Sequence, residues 1–347
     1  MLELELLQVA IGNRKALSHK PSNKDWLGIY GFGKRHSILG VLFSGIEHLP
    51  KGQLPRKDLL MVWFGQTEYL AKRNRLLDAR TAELTSMMAE GGMRSCVLKG
   101  QGVAQLYPNP QRRSCGDIDL WVEGTRNEVL RMVKNRWEVG DVLMYHVDAK
   151  VFDDAVVEIH YVPAFSFNPL RYRRYLKFFE AVSKVQFQLV DKNLGFAHPS
   201  IDFHAVYSLI HIFNHALNNE VRLKQVVDYY YILSRMDTMN KERVMKTILW
   251  FGLERFAGAL MWVLTECLDM SAERLLCAPN EKAGRQLLKD IMLDEKAVHE
   301  TRREGTWGAF VIKMKKLATY ITFYPSEVLW APVWKLWHWG WMKKWNK

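Results

Sequence analysis

Three carboxylates in this chain have spacings that suit cation chemistry. Asp117 and Asp119 flank an isoleucine, and Glu158 lies two residues before His160 in the run Val156, Val157, Glu158, Ile159, His160. Residues i and i+2 of a strand share a face, so Asp117 and Asp119 point one way while Ile118, Leu120 and Val122 enter a core. Glu158 and His160 likewise share a face opposite Val157 and Ile159. Carboxylates side by side repel and raise each other's proton affinity unless a divalent cation sits between them. The same repulsion predicts that removing one aspartate charge leaves the metal-free fold intact or more stable.

The surrounding residues supply elements to hold them. Cys96, Val97 and Leu98 read as a short apolar strand ending at Lys99 and Gly100, where a glycine lets backbone N–H groups approach an anion and the lysine adds a point charge. A short helix after Gly102 is stopped by Pro108 and Pro110, and a second strand runs from Asp117 to Val122. The pattern further predicts a helix over Arg126–Trp137 and a hairpin near Val142–Lys150.

Leu98, Lys99 and Gly100, then Tyr107 and Pro108, then Arg113, Gly116, Asp117, Ile118, Asp119 and Leu120, then the Val157 to His160 run, form a specific combination. It resembles the uncharacterised nucleotidyltransferase family of the DNA polymerase beta superfamily, common in bacterial surface-polysaccharide gene regions. The best-matched part is Met87–Tyr161. Gln101 stands where serine often follows the glycine, and the gap to Asp117 is longer than usual.

The resemblance implies a small mixed β-sheet core over residues 91–161; apolar spacing of three and four reads as an N-terminal helical region over 1–90 and a C-terminal helical domain over 162–324, and composition marks a Trp/Lys-rich amphipathic tail over 325–347, so that the fold expected is α+β and predominantly helical. The resemblance also implies metal-dependent transfer of a nucleotidyl group from a nucleoside triphosphate to an acceptor hydroxyl. In that reading Asp117, Asp119 and Glu158 are catalytic and hold Mg2+ or Mn2+. Lys99, Gly100, Gln101 and Arg113 serve nucleotide and phosphate. Arg222 and Asp228 resemble a polar pair lining the acceptor side.

At 347 residues, 48% hydrophobic, the chain can bury a sizeable core, and a net charge of +12 favours anionic partners. The four cysteines have no paired metal-ligand spacing, so reduced thiols are expected. The acidic start Met1 to Glu5 lacks a signal-peptide pattern, and no apolar run reaches the roughly 18 residues of a spanning helix. A cytoplasmic location, with peripheral contact at the inner membrane face, is the expectation.

Gly31, Phe32, Gly33 and Lys34 lack the preceding strand of a phosphate loop and read as a helix junction. Basic and aromatic residues interleave from Arg171 to Phe179, a pattern that could stack bases. It reads first as an amphipathic helix with Leu170, Tyr175, Phe178 and Phe179 inward. His211 and His215 lie at i and i+4 without the zinc-protease glutamate, and with His204 read as packed histidines. Trp330, Trp334, Trp337, Trp341 and Trp345 form a helical stripe beside Lys335, Lys343, Lys344 and Lys347. The stripe suits either an interfacial membrane anchor or a closing helix docked on the body. Competing functions are a non-catalytic scaffold of this fold at a membrane and a transferase acting on nucleic acid.

Overall fold

The computed structural model describes residues 1–218, 220–292 and 306–345. Among these residues the protein is α+β and predominantly helical, 63% helix with a small mixed sheet of five strands. Four helices precede the sheet: α1 (Leu2–Ala10), α2 (Asn23–Arg35), α3 (Leu39–His48) and α4 (Lys57–Glu90). Ser22 and Asp25 cap α2 reciprocally, and the stretch from Gly31 to Lys34 lies inside that helix. α4 buries Trp63, Thr67, Ala71, Asn74, Leu77, Thr81, Leu84 and Met88, a stripe at steps of three and four. It ends at Gly91, and Gly92 takes a φ of +75° to turn the chain into the sheet.

The strands are β1 (Ser95–Val97), β2 (Ile118–Val122), β3 (Glu138–Val142), β4 (His146–Lys150) and β5 (Val157–His160). Their spatial order is β1-β2-β5-β4-β3, with β2 and β5 parallel and the other neighbours antiparallel. The hairpin begins four residues earlier than its expected start, because Glu138 already pairs with Lys150. Helix α5 (Gln101–Ala104) joins β1 to β2, and α6 (Arg126–Arg136), capped by Thr125 and Glu128, joins β2 to β3. Alternation divides the sheet. Ile118, Leu120, Val122, Val147, Ala149, Val157 and Ile159 pack with Leu77, Leu84 and Met88 of α4 and with Val129, Leu130 and Val133 of α6. The polar residues of the same strands are thereby turned to the opposite face.

The chain continues through α7 (Pro169–Gln186), a pair of two-residue strands β6 (Val190–Asp191) and β7 (Phe196–Ala197), α8 (Ile201–Asn218), α9 (Leu223–Ser234), α10 (Thr238–Phe251), α11 (Glu254–Leu268), α12 (Glu281–Ile291), α13 (Thr306–Ala318) and α14 (Pro325–Trp345). A second core joins α1 to α3 with these later helices. Across it, Asn13 Nδ2 donates to the Leu268 carbonyl at 2.6 Å and Tyr230 donates to Asn13 Oδ1 at 3.0 Å. All four cysteines are free thiols.

Two expected helical faces are corrected. In α7, Tyr175 and Phe179 are buried as expected, but Leu170 is 66% exposed, and Arg171 is buried instead. Arg171 turns inward because Glu327 of α14 is there: the pair is joined through Nη1 and Oε1, and Glu327 also accepts from Ser166 Oγ and the Phe167 and Asn168 backbone N–H groups. Pinned in this way, α14 docks on the body. Trp334 stacks on Phe165 at 4.9 Å between ring centroids, and the Arg126 guanidinium covers the rings of Trp341 and Trp345 at 5.1 and 5.0 Å. Trp330 and Trp337, from the same expected stripe, point outward together with Leu329, Val333, Leu336 and Trp339. The tail is therefore apolar on both sides. Lys347 and the side chain of Lys344 lie outside the described residues.

His211 and His215 face each other, Nε2 to Nε2, at 2.9 Å. No helix among the described residues is long and apolar enough to cross a membrane.

Candidate active site

The face of the sheet opposite that core builds the site by register. Parallel pairing of β2 with β5 sets Asp119 directly opposite Glu158 and Trp121 opposite His160. Antiparallel pairing of β5 with β4 then sets Asp148 opposite Glu158 and His146 opposite His160. A row of carboxylates thus runs beside a row of imidazoles on one surface. Asp117 precedes β2, and one carboxylate oxygen from each of Asp117, Asp119 and Glu158 lies within 4.8 Å of the others.

The β1 end delivers Lys99 to the same place. The Leu98 N–H donates to the Asp119 carbonyl at 3.0 Å, and one residue on, Lys99 Nζ stands 3.0 Å from Asp119 Oδ1. Gly100 follows with φ +58° and ψ −112°, backbone that only glycine adopts without strain, beside the Asp117 carbonyl. Gln101 is buried and donates from Nε2 to that carbonyl at 3.4 Å, bracing the turn in front of Asp117. α5 is a single four-residue turn.

The charges interlock. Asp119 is fully buried; its Oδ1 faces Lys99 and also His160 Nε2 at 3.1 Å, whereas its Oδ2 is buried with no hydrogen-bond partner. Burial works against the charged form of His160, but the carboxylates of Asp119 and Glu158 outweigh it and raise the imidazole to about 9. Burial would raise Glu158, yet the His160 hydrogen bond and the charges of His160, His146 and Lys99 bring it down to about 2. Burial likewise opposes the Lys99 ammonium, and Asp119 and Asp117 push its pKa above the ordinary lysine range. A buried carboxylate oxygen without a donor, among three converging carboxylates, is a seat fitted to a divalent cation.

Arg113 is placed differently from its expected role. Its Nε and Nη2 donate to Asp228 Oδ1 and Oδ2 at 2.7 and 2.8 Å, and Tyr107 Oη donates to Oδ1 at 2.6 Å. Both side chains of the ion pair are buried, so the guanidinium ties the β1–β2 connection to α9. Arg222 is not the partner of Asp228; it donates to the Arg35 carbonyl at 3.1 Å. His146 and Asp148 join the site without having been expected there. Their two-residue spacing is the same signal that singled out Asp117 with Asp119 and Glu158 with His160.

No curated protein matches the chain. Among solved structures it is similar to one titled "Crystal structure of an antigenic nucleotidyltransferase-like protein from Paracoccidioides brasiliensis", with 11% identity and a TM-score of 0.35 over 60% of this chain and 96% of that one. The sequence model of a family described as uncharacterised nucleotidyltransferase matches residues 22–269, most of the chain and all five strands of the sheet. This protein belongs to that family.

Proposed function

We propose that the protein transfers a nucleotidyl group from a nucleoside triphosphate to an acceptor hydroxyl, with Mg2+ or Mn2+ held by Asp117, Asp119 and Glu158. Family membership supports nucleotidyl transfer as the class of reaction. Two observations carry the metal assignment together: the convergence of the three carboxylates, and the buried Oδ2 of Asp119 that has no hydrogen-bond partner.

Bound there, divalent ions supply positive charge to the triphosphate oxygens and to the departing pyrophosphate. The chain's own residues do the remaining work. Asp117 and Asp119 hold the cation from one strand end, and Glu158 completes the set from the adjacent strand. With its pKa near 2, Glu158 is a coordinating group and a poor proton acceptor at neutral pH. Lys99 and the Gly100 turn border the carboxylates and present positive charge and backbone to phosphate. Gln101 sets the Asp117 turn. Arg113 acts one layer back, by fixing that connection against α9 through Asp228.

Burial of Tyr175 and Phe179 supports reading α7 as a packed amphipathic helix rather than a base-stacking surface. The outer face of α14, with Trp330, Trp337 and Trp339 exposed on a chain of net charge +12, supports peripheral contact with an anionic membrane surface. The direct test of the reaction is to incubate the protein with labelled nucleoside triphosphates, Mg2+ or Mn2+ and host lysate. Metal-dependent pyrophosphate release with labelling of an acceptor is expected, and the absence of both with every nucleotide would favour a non-catalytic scaffold.

A further inference from the structure

We propose that His146, Glu158 and His160 form a second cation seat, taking a transition metal of the zinc class beside the three-carboxylate centre and sharing Glu158 with it. Donor atoms of the three side chains lie within 4.8 Å of one another. His146 Nδ1 is 3.8 Å from Glu158 Oε2, and His160 Nε2 is 3.4 Å from the same oxygen. A tetrahedral ion with bonds of roughly 2.0–2.2 Å holds its donors about 3.3–3.5 Å apart, a spacing that the two distances to Glu158 Oε2 already approach.

The orientation of His146 is the stronger observation. Its ring is 6% exposed, its Nδ1 has no hydrogen-bond partner, and its Nε2 lies 3.3 Å from Asp148 Oδ1. A carboxylate on one ring nitrogen keeps the proton there and leaves the lone pair on the other nitrogen, which is how ligating histidines are held. Here that lone pair points at Glu158 and His160. Register fixes both relations, since Asp148 and His146 are the cross-strand partners of Glu158 and His160.

His160 Nε2 also faces Asp119 Oδ1 at 3.1 Å, so this nitrogen carries a shared proton in the metal-free chain, and ligation replaces it with the ion and releases it. Tyr145 packs edge-on against the His146 ring at 4.6 Å between centroids, and next to it His338 Nε2 of α14 accepts the Met144 backbone N–H at 3.4 Å. Imidazole nitrogens suit zinc, cobalt, nickel and iron, while magnesium prefers oxygen. The two seats therefore differ in the metal they select. Because Glu158 belongs to both, an ion in the imidazole seat alters the charge available to the carboxylate centre. The inference concerns metal binding alone and stands whether or not the protein transfers nucleotides.

The test is Zn2+ titration of the metal-stripped full chain against a chromophoric chelator, with Co2+ as a spectroscopic probe. The parent should bind Zn2+ and give a visible Co2+ band of low-coordinate nitrogen ligation. His146→Ala should weaken Zn2+ binding by about 100-fold and remove the band. Asp148→Asn, at a side chain 46% exposed and so safe for folding, should weaken it by about 10- to 100-fold with an unchanged melting curve. Asp117→Asn should keep Zn2+ affinity while losing any Mg2+-nucleotide stabilisation, which separates failure of this seat from failure of the carboxylate reading. Equal Zn2+ affinity in the parent, His146→Ala and Asp148→Asn would overturn the proposal. So would an equal loss of Zn2+ in Asp117→Asn and His146→Ala, which would mean one seat and not two.

Discussion

Lys99 Nζ stands 3.0 Å from Asp119 Oδ1, and the aspartate side chain it meets is fully buried. This contact reverses an expectation drawn from the paired aspartates. Mutual repulsion would make Asp119→Asn neutral or stabilising, but Asp119 already answers two positive neighbours, Lys99 and His160. Removing its charge leaves a largely buried ammonium without its main partner. Asp119→Asn should destabilise the metal-free protein by about 3 kcal/mol in urea denaturation. Adding Lys99→Met should restore part of that loss. An unchanged or raised urea midpoint for Asp119→Asn would show that the repulsion dominates after all.

Glu327, itself buried, anchors α14 through the buried Arg171 and Ser166, the buried Phe167 N–H and the half-buried Asn168 N–H. Glu327→Ala leaves the Arg171 guanidinium buried and uncompensated, a loss of about 3–5 kcal/mol. Release of the helix should also move the tryptophan emission to the red as Trp334 leaves Phe165. Stability within about 0.5 kcal/mol of the parent would mean that the tail docks without this pin.

Burial, with Arg35 and Arg222 nearby, lowers His36 to about 4 from an ordinary value of 6.5. Between those two values the unfolded chain binds a proton that the folded chain refuses. The contribution of neutral His36 is therefore complete above pH 6.5 and is lost as pH falls toward 4, by about 3 kcal/mol in all. His36→Phe should flatten that part of the stability profile, measured as urea midpoint against pH. A profile of the same slope in the variant would assign the acid limb to other groups.

The outward face of α14 can be tested without disturbing the inward one. Trp330→Ser, Trp337→Ser and Trp339→Ser change exposed side chains only, whereas truncating the tail would also remove the docked residues Trp334 and Trp341. The parent should float with vesicles containing anionic lipid, less so at high salt, and the triple variant should stay in the soluble fraction. Equal flotation of parent and variant would remove this face from consideration.

What the sequence disclosed was chiefly periodic. The two-residue alternation of β2 and β5 placed Asp119, Glu158 and His160 on the face away from the core, and the stripe of α4 was visible in its spacing. What it concealed depended on contacts between distant segments. Arg113 carries no mark that its partner is Asp228, 115 residues away, and Arg171 none that it will be buried by Glu327. The tryptophan stripe misled because both faces of α14 are apolar, so helical spacing alone could not say which tryptophans dock. His146 and Asp148 were legible but unread, since the segment was treated only as a hairpin.

The central claim is that Asp117, Asp119 and Glu158 hold the metal that binds nucleotide. It is tested by the melting temperature of parent, Asp117→Asn, Asp119→Asn and Glu158→Gln, each with and without Mg2+ plus a nucleoside triphosphate. A ligand that binds only the native state raises the parent's melting temperature, by about 2.7 kcal/mol of stability at 100 times its dissociation constant. The account predicts that each variant loses this rise while still melting cooperatively. A rise of the same size in all three variants would place the nucleotide elsewhere on the protein.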